Sequence, residues 1–213
     1  MNAPQKPSPS PREIEIELKK RVAGHPPTRW GRKQADDWDR QTRFIYHTPT
    51  WDDMAQRAAR LEPSLAEYAI NRWFNFWSAR AVEGIFTALP GVEANVDQYD
   101  RLVDFSIQGI TFDHKTSVFP RQYPEPAKFA YHHKAHLITW LYAQQSRQQR
   151  YHTANRLFIV LYARSGQHWA LRADVARLAM VIRRYVRDFS PHKLTALWLE
   201  EHTVLADVIW CFR

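Results

Sequence analysis

The stretch Arg101-Leu102-Val103-Asp104-Phe105-Ser106-Ile107-Gln108-Gly109-Ile110-Thr111-Phe112-Asp113-His114-Lys115-Thr116-Ser117-Val118 breaks the helical spacing of apolar residues that precedes it. Leu102, Asp104 and Ser106 fall on one side of an alternating pattern, and Val103, Phe105 and Ile107 on the other, as in a strand. Gln108-Gly109 is a tight-turn signal. Ile110 to Val118 is rich in Thr, Phe and Val, which suit a half-buried strand. The stretch therefore predicts a β-hairpin.

Upstream, Thr50 with Asp53 predicts the start of a helix that runs to about Leu61. Ser64 with Glu67 predicts the start of a longer one, with Leu65, Ala69, Trp73, Phe76, Trp77, Val82, Ile85 and Phe86 at helical spacing. It ends near Leu89-Pro90-Gly91. Downstream, Lys128 to about Gln149 predicts a helix. Arg156 to Ala163 is a continuous apolar run, as in a buried central strand. Asp174 to about Arg187 predicts an amphipathic helix, followed by strands at Ala196–Leu199 and Val204–Phe212. This order predicts an α/β architecture with a central mixed sheet flanked by helices on both faces.

The 213 residues suit one domain with an arm. Residues 1–49 read as a Pro- and Ser-rich tail and a basic-aromatic arm, partly disordered, and 50–213 as the domain. Within the arm, Ile14, Ile16 and Leu18 alternate with glutamates, which fits either a strand or a charged helix. Hydrophobic residues at 45% exclude wholesale disorder. The single cysteine, Cys211, excludes an intramolecular disulfide framework. No apolar run is long enough to span a bilayer, and the N-terminus has no apolar leader. A cytoplasmic protein is the expectation. Thirty Lys and Arg against 22 Asp and Glu give a net charge of +8, which points to a polyanionic partner, nucleic acid first.

Asp104 is an acid in an apolar setting, where an unpaired charge is costly. Asp113 and Lys115 are two residues apart on one strand and so share a face. A short hairpin sets Asp104 opposite them, and Glu83 on the long helix is a further carboxylate. Mg²⁺ or Mn²⁺ takes carboxylate and phosphate oxygens. A lysine beside it can orient or deprotonate water and stabilise transition-state oxygens. This residue set suits metal-assisted phosphodiester hydrolysis. The competing reading is a surface hairpin in which Asp104 and Lys115 form a cross-strand ion pair, worth about 0.2–1 kcal/mol.

Asp104, a gap of eight residues and Asp113-His114-Lys115 resemble the D-x(n)-(D/E)-x-K signature of the PD-(D/E)XK nuclease superfamily, the restriction-endonuclease-like fold. The helix bearing Glu83, the helix from Lys128 and the strand Arg156–Ala163 match the order of that fold's core, so the resemblance covers about residues 64–163. Val103 stands where many members have proline, and no subgroup motif is matched. The resemblance implies an Mg²⁺- or Mn²⁺-dependent nuclease acting on DNA or, less often, RNA. Asp104 and Asp113 would then be metal ligands, Lys115 the catalytic lysine and Glu83 an accessory ligand. Many such enzymes are dimers, so a homodimer or a larger nucleoprotein complex is a further expectation.

Arg29, Arg32 and Lys33 in the arm, and Arg147 and Arg150 after the hairpin, are candidate nucleic-acid contacts. A packed extension would use the arm equally well. His132 and His136 are spaced as zinc ligands can be, but lack the glutamate of H-E-x-x-H. His114 is expected on the sheet face opposite Asp113 and Lys115, under a helix. Without catalysis, the same basic chain would serve as a nucleic-acid-binding subunit of a larger defence, repair or mobile-element complex.

Overall fold

A computed structural model describes residues 8–24, 36–96, 103–146, 154–199 and 201–213. The chain forms two compact units, Met1–Gly84 with Arg172–Ala176, and Ile85–Leu171 with Arg177–Arg213.

The first unit is helical. α1 (Pro11–Gly24) resolves the ambiguity at Ile14–Leu18 in favour of a helix, because Ser10 and Glu13 cap it reciprocally. Ile14 and Leu18, four apart, are buried, whereas Ile16 is exposed. α2 (Asp36–Gln41) and a 3₁₀ turn at Arg43–His47 follow. α3 (Trp51–Ala58) starts as predicted, with Thr50 Oγ1 accepting from the Asp53 N–H. α4 (Pro63–Thr87) begins at Pro63, one residue before the predicted cap. The carboxylate of Glu62 accepts from the Ser64 N–H, and Pro63 has no N–H to satisfy at that position. Trp73 and Trp77 donate their indole N–H groups to the carbonyls of Thr48 and Ile45, at 2.6 and 3.0 Å. Residues 36–46 are therefore a packed extension against α4. Arg29, Arg32, Lys33, Arg147 and Arg150 lie outside the described residues.

The second unit is α/β. Its six strands lie in the order β1-β2-β3-β4-β6-β5, where β1 is Val92–Ala94, β2 Phe105–Ile107, β3 Ile110–Val118, β4 Arg156–Tyr162, β5 Thr195–Leu199 and β6 His202–Phe212. β3, β4 and β6 are parallel neighbours, and the remaining pairs are antiparallel, so the sheet is mixed. β4 sits between two partners and is buried along almost its whole length, which explains its continuous apolar run. The predicted helix after the hairpin is two helices, α5 (Ala127–His132) and α6 (Lys134–Ser146), broken at His133. Leu137, Ile138, Leu141 and Tyr142 of α6 pack on Phe158, Val160, Val204, Ala206 and Val208. By alternation Leu157, Ile159, Ile209 and Cys211 face the other way. There α7 (Val175–Arg187) joins the sheet through Tyr185, whose hydroxyl donates to Asp207 at 3.2 Å. Among the described residues no helix is long and apolar enough to cross a membrane.

Candidate functional site

The predicted hairpin forms, with Gln108 and Gly109 at φ 50° and 79° in its turn. Glycine adopts this left-handed backbone freely and glutamine does so at a cost. β3 pairs with β2 only at Ile110–Phe112 and with β4 from Asp113 to Val118. Asp113 is the residue at which β3 changes partner.

That switch explains Asp104. The residue is not in the middle of a strand, as the alternation predicts, but on the bend just before β2. Its N–H donates to the Phe112 carbonyl at 2.8 Å. Beyond Phe112 no β2 residue meets the outward N–H of His114, and Asp104 Oδ2 accepts that N–H at 2.7 Å. The same oxygen lies 2.7 Å from His114 Nδ1. Burial raises the Asp104 carboxyl, but the bonds to His114 and the charge of Lys115 outweigh it, so the group ionises below the usual carboxylate range. The His114 ring is buried beside Phe105 and Phe86, the latter at the end of α4, as the strand parity predicts.

Asp113 and Lys115 do share a face, with Lys115 Nζ donating to Asp113 Oδ1 at 2.7 Å. Lys115 thus pairs with Asp113, and the cross-strand ion pair with Asp104 does not form. Asp113 is buried, whereas the Lys115 side chain is 46% exposed. The other oxygen of Asp113 accepts from Arg156 Nε at 3.0 Å. Arg156 stands opposite Asp113 in the β3–β4 register and is 1% exposed. Its guanidinium carbon is 5.4 Å from the Tyr142 ring centroid, and Nη1 and Nη2 have no hydrogen-bond partner among the described residues. Asn155 stitches the same end of the sheet. It donates to the Thr111 carbonyl at 3.1 Å and accepts from the Leu205 N–H at 2.8 Å.

Arg156 and Asn155 are the residues that sequence reasoning missed. The only signal was a charged residue heading an apolar run; its partnership with Asp113 depends on a register that spans 43 residues of chain. Glu83 belongs to the first unit, where its carboxylate accepts from Arg80 Nη1 at 2.7 Å. His132 and His136 fall on either side of the helix break, and His136 Nδ1 lies 2.7 Å from the Tyr123 hydroxyl.

Among the described residues no group of three or more His, Cys, Asp or Glu side chains is placed to hold a metal ion. Asp104 and Asp113 are the two carboxylates that the sequence reading assigns to a hard cation. Mg²⁺ is commonly held by one or two carboxylates, with water and substrate phosphate completing its shell. Asp104 Oδ1 carries no bond among the described residues, and Asp113 Oδ1 is held only by a half-exposed lysine. Compared with protein-family models, curated proteins and solved structures, the chain matches none.

Proposed function

We propose that the chain is a metal-dependent phosphodiesterase that cuts nucleic acid, DNA ahead of RNA, with Mg²⁺ or Mn²⁺ as cofactor. The observation that carries the reading is the Asp113–Lys115 pair on one face of β3, at the residue where that strand exchanges β2 for β4. Asp104 lies on the neighbouring strand connection, and the chain's charge of +8 favours a polyanion. Asp104 and Asp113 would hold the ion. Bound there, the ion would neutralise charge developing on the phosphate and acidify water. Arg156 holds Asp113 through Oδ2 and so leaves Oδ1 on the side of Lys115. Lys115, with its ammonium half in solvent, would orient the attacking water or donate to a phosphate oxygen.

The test is cleavage of supercoiled plasmid and single-stranded DNA with Mn²⁺, comparing wild type with Lys115→Ala. Lysine at this half-exposed position can be truncated without opening the core. A loss of about 10²-fold or more in rate is expected in a protein that stays folded, because Asp113 keeps its bond from Arg156. Equal cutting by both proteins would remove Lys115 from the mechanism.

One observation favours a second reading, a non-catalytic nucleic-acid-binding subunit of a larger complex. Both oxygens of Asp113 already meet cations, Lys115 and Arg156, as in a structural ion pair. Salt-dependent binding without cleavage by the wild type would select it.

A further inference from the structure

Among the described residues, half of β6 has a paired strand on one side alone. β5 covers β6 only from His202 to Ala206, because the chain ahead of Thr195 turns away through Pro191–Lys193. From Asp207 to Phe212, β6 pairs with β4 on one side, and among the described residues no strand pairs on the other. The Arg213 N–H donates to the Tyr162 carbonyl and its carbonyl accepts from Arg164, both toward the β4 side. By alternation the backbone groups of Val208, Trp210 and Phe212 face outward. Two of these are met locally: the Val208 N–H donates to Asp207 Oδ1 at 2.9 Å, and the Phe212 carbonyl accepts from Arg177 at 3.2 Å. Among the described residues, the centre of the run, at Trp210, is left open to pairing.

This edge borders a groove of about 820 Å³. Its apolar lining includes Tyr131, Met180, Trp210 and Phe212. Tyr131, Met180 and Phe212 are 52, 59 and 41% exposed, and the Trp210 and Phe212 rings stack at 5.1 Å. Lys134, Arg177, Arg184 and Lys193 lie around it, with Arg183 and Arg187 beside Met180. The acids among the lining are Asp188 and Asp207, and Asp207 is already paired with Lys134 at 2.7 Å. Proteins ordinarily block an open edge strand. Here the edge is joined to an exposed apolar floor and an excess of positive charge.

We propose that this edge receives an extended segment of a partner protein that alternates acidic and apolar residues, added as a strand alongside Asp207–Phe212. A run of that length spans about 20 Å. The partner's backbone would satisfy the outward groups of β6, its apolar side chains would cover Tyr131, Met180 and Phe212, and its acids would meet Arg177, Arg184 and Lys193. A second copy of the chain fits less well, since a two-fold pairing of this edge brings like charges together. Nucleic acid would supply the negative charge but no peptide donors and acceptors at strand spacing. The inference does not depend on the nuclease reading.

The experiment uses the full chain and a fluorescent octapeptide alternating valine and glutamate, read by anisotropy and by amide hydrogen exchange. Binding is expected, with slowed exchange at Trp210 and Phe212. It should weaken by about ten-fold or more for the peptide with lysine in place of glutamate, and for Arg177→Glu/Arg184→Glu protein of unchanged melting temperature. The peptide N-methylated throughout should not bind. Equal binding of the N-methylated peptide, or exchange at Trp210 that does not slow, would mean charge attraction alone and overturns the proposal. So would no binding of the octapeptide, an oligothymidylate that displaces it from the groove, or a dimer that Met180→Glu dissociates.

Discussion

Replacing Asp113 by valine, which is similar in size and suited to a strand, isolates the buried ion pair. In the wild type, Arg156 donates through Nε to Asp113 Oδ2, while Nη1 and Nη2 have no partner among the described residues. Asp113→Val therefore removes the acceptor shown for a guanidinium that is 1% exposed. Breaking a buried pair in this way costs about 3–5 kcal/mol. The reverse change, Arg156→Met, is milder, because Asp113 keeps its bond from the half-exposed Lys115. It removes one hydrogen bond to a charged group, about 1.5–3 kcal/mol. The double variant replaces the pair with apolar groups and is expected within about 2 kcal/mol of wild type. Urea titrations of all four proteins measure the cycle, and Asp113→Val should lower the melting temperature by about 6–20 °C at 2–4 °C per kcal/mol. A cost below about 1 kcal/mol for Asp113→Val, or a double variant as unstable as the two single losses added, would refute the reasoning. The result bears on function as well. Loss of cleavage in an Asp113→Ala protein would reflect unfolding as readily as lost chemistry, which is why Lys115→Ala is the sharper probe of the site.

Gln108 holds a left-handed conformation at φ 50° beside Gly109; Gln108→Asn should stabilise the protein by about 0.5–1 kcal/mol, and a lower urea midpoint would contradict the strain argument. Thr50→Ala should cost about 0.5–1 kcal/mol, at the low end for a helix cap because the bond from the Asp53 N–H is 3.4 Å long. Burial, with the bond to Asp39, pushes the Tyr68 hydroxyl up to about 12. Since that is above the ordinary value of about 10, the stability it contributes is complete below pH 10 and lost as pH rises toward 12. The stability difference between wild type and Tyr68→Phe should shrink over that interval, and a constant difference would exclude it.

Local signals in the chain determined much of the architecture. The alternation either side of Gln108-Gly109 specified the hairpin, because strand period and turn chemistry are written in adjacent residues. The apolar run after Arg156 specified a central strand, and residues two apart on β3 placed Asp113 beside Lys115. Alternating glutamates around Ile14–Leu18 did not separate helix from strand; the Ser10–Glu13 cap and the burial of one helical face did. Pairing across long separations was decided only by the tertiary structure. Asp104 meets the His114 N–H because β3 leaves β2 at Asp113, and Arg156 meets Asp113 because β3 and β4 align in one register. The open edge of β6 exists because β5 ends its cover at Ala206. Register and strand order depend on the packing of whole faces, and no short window of sequence contains that information.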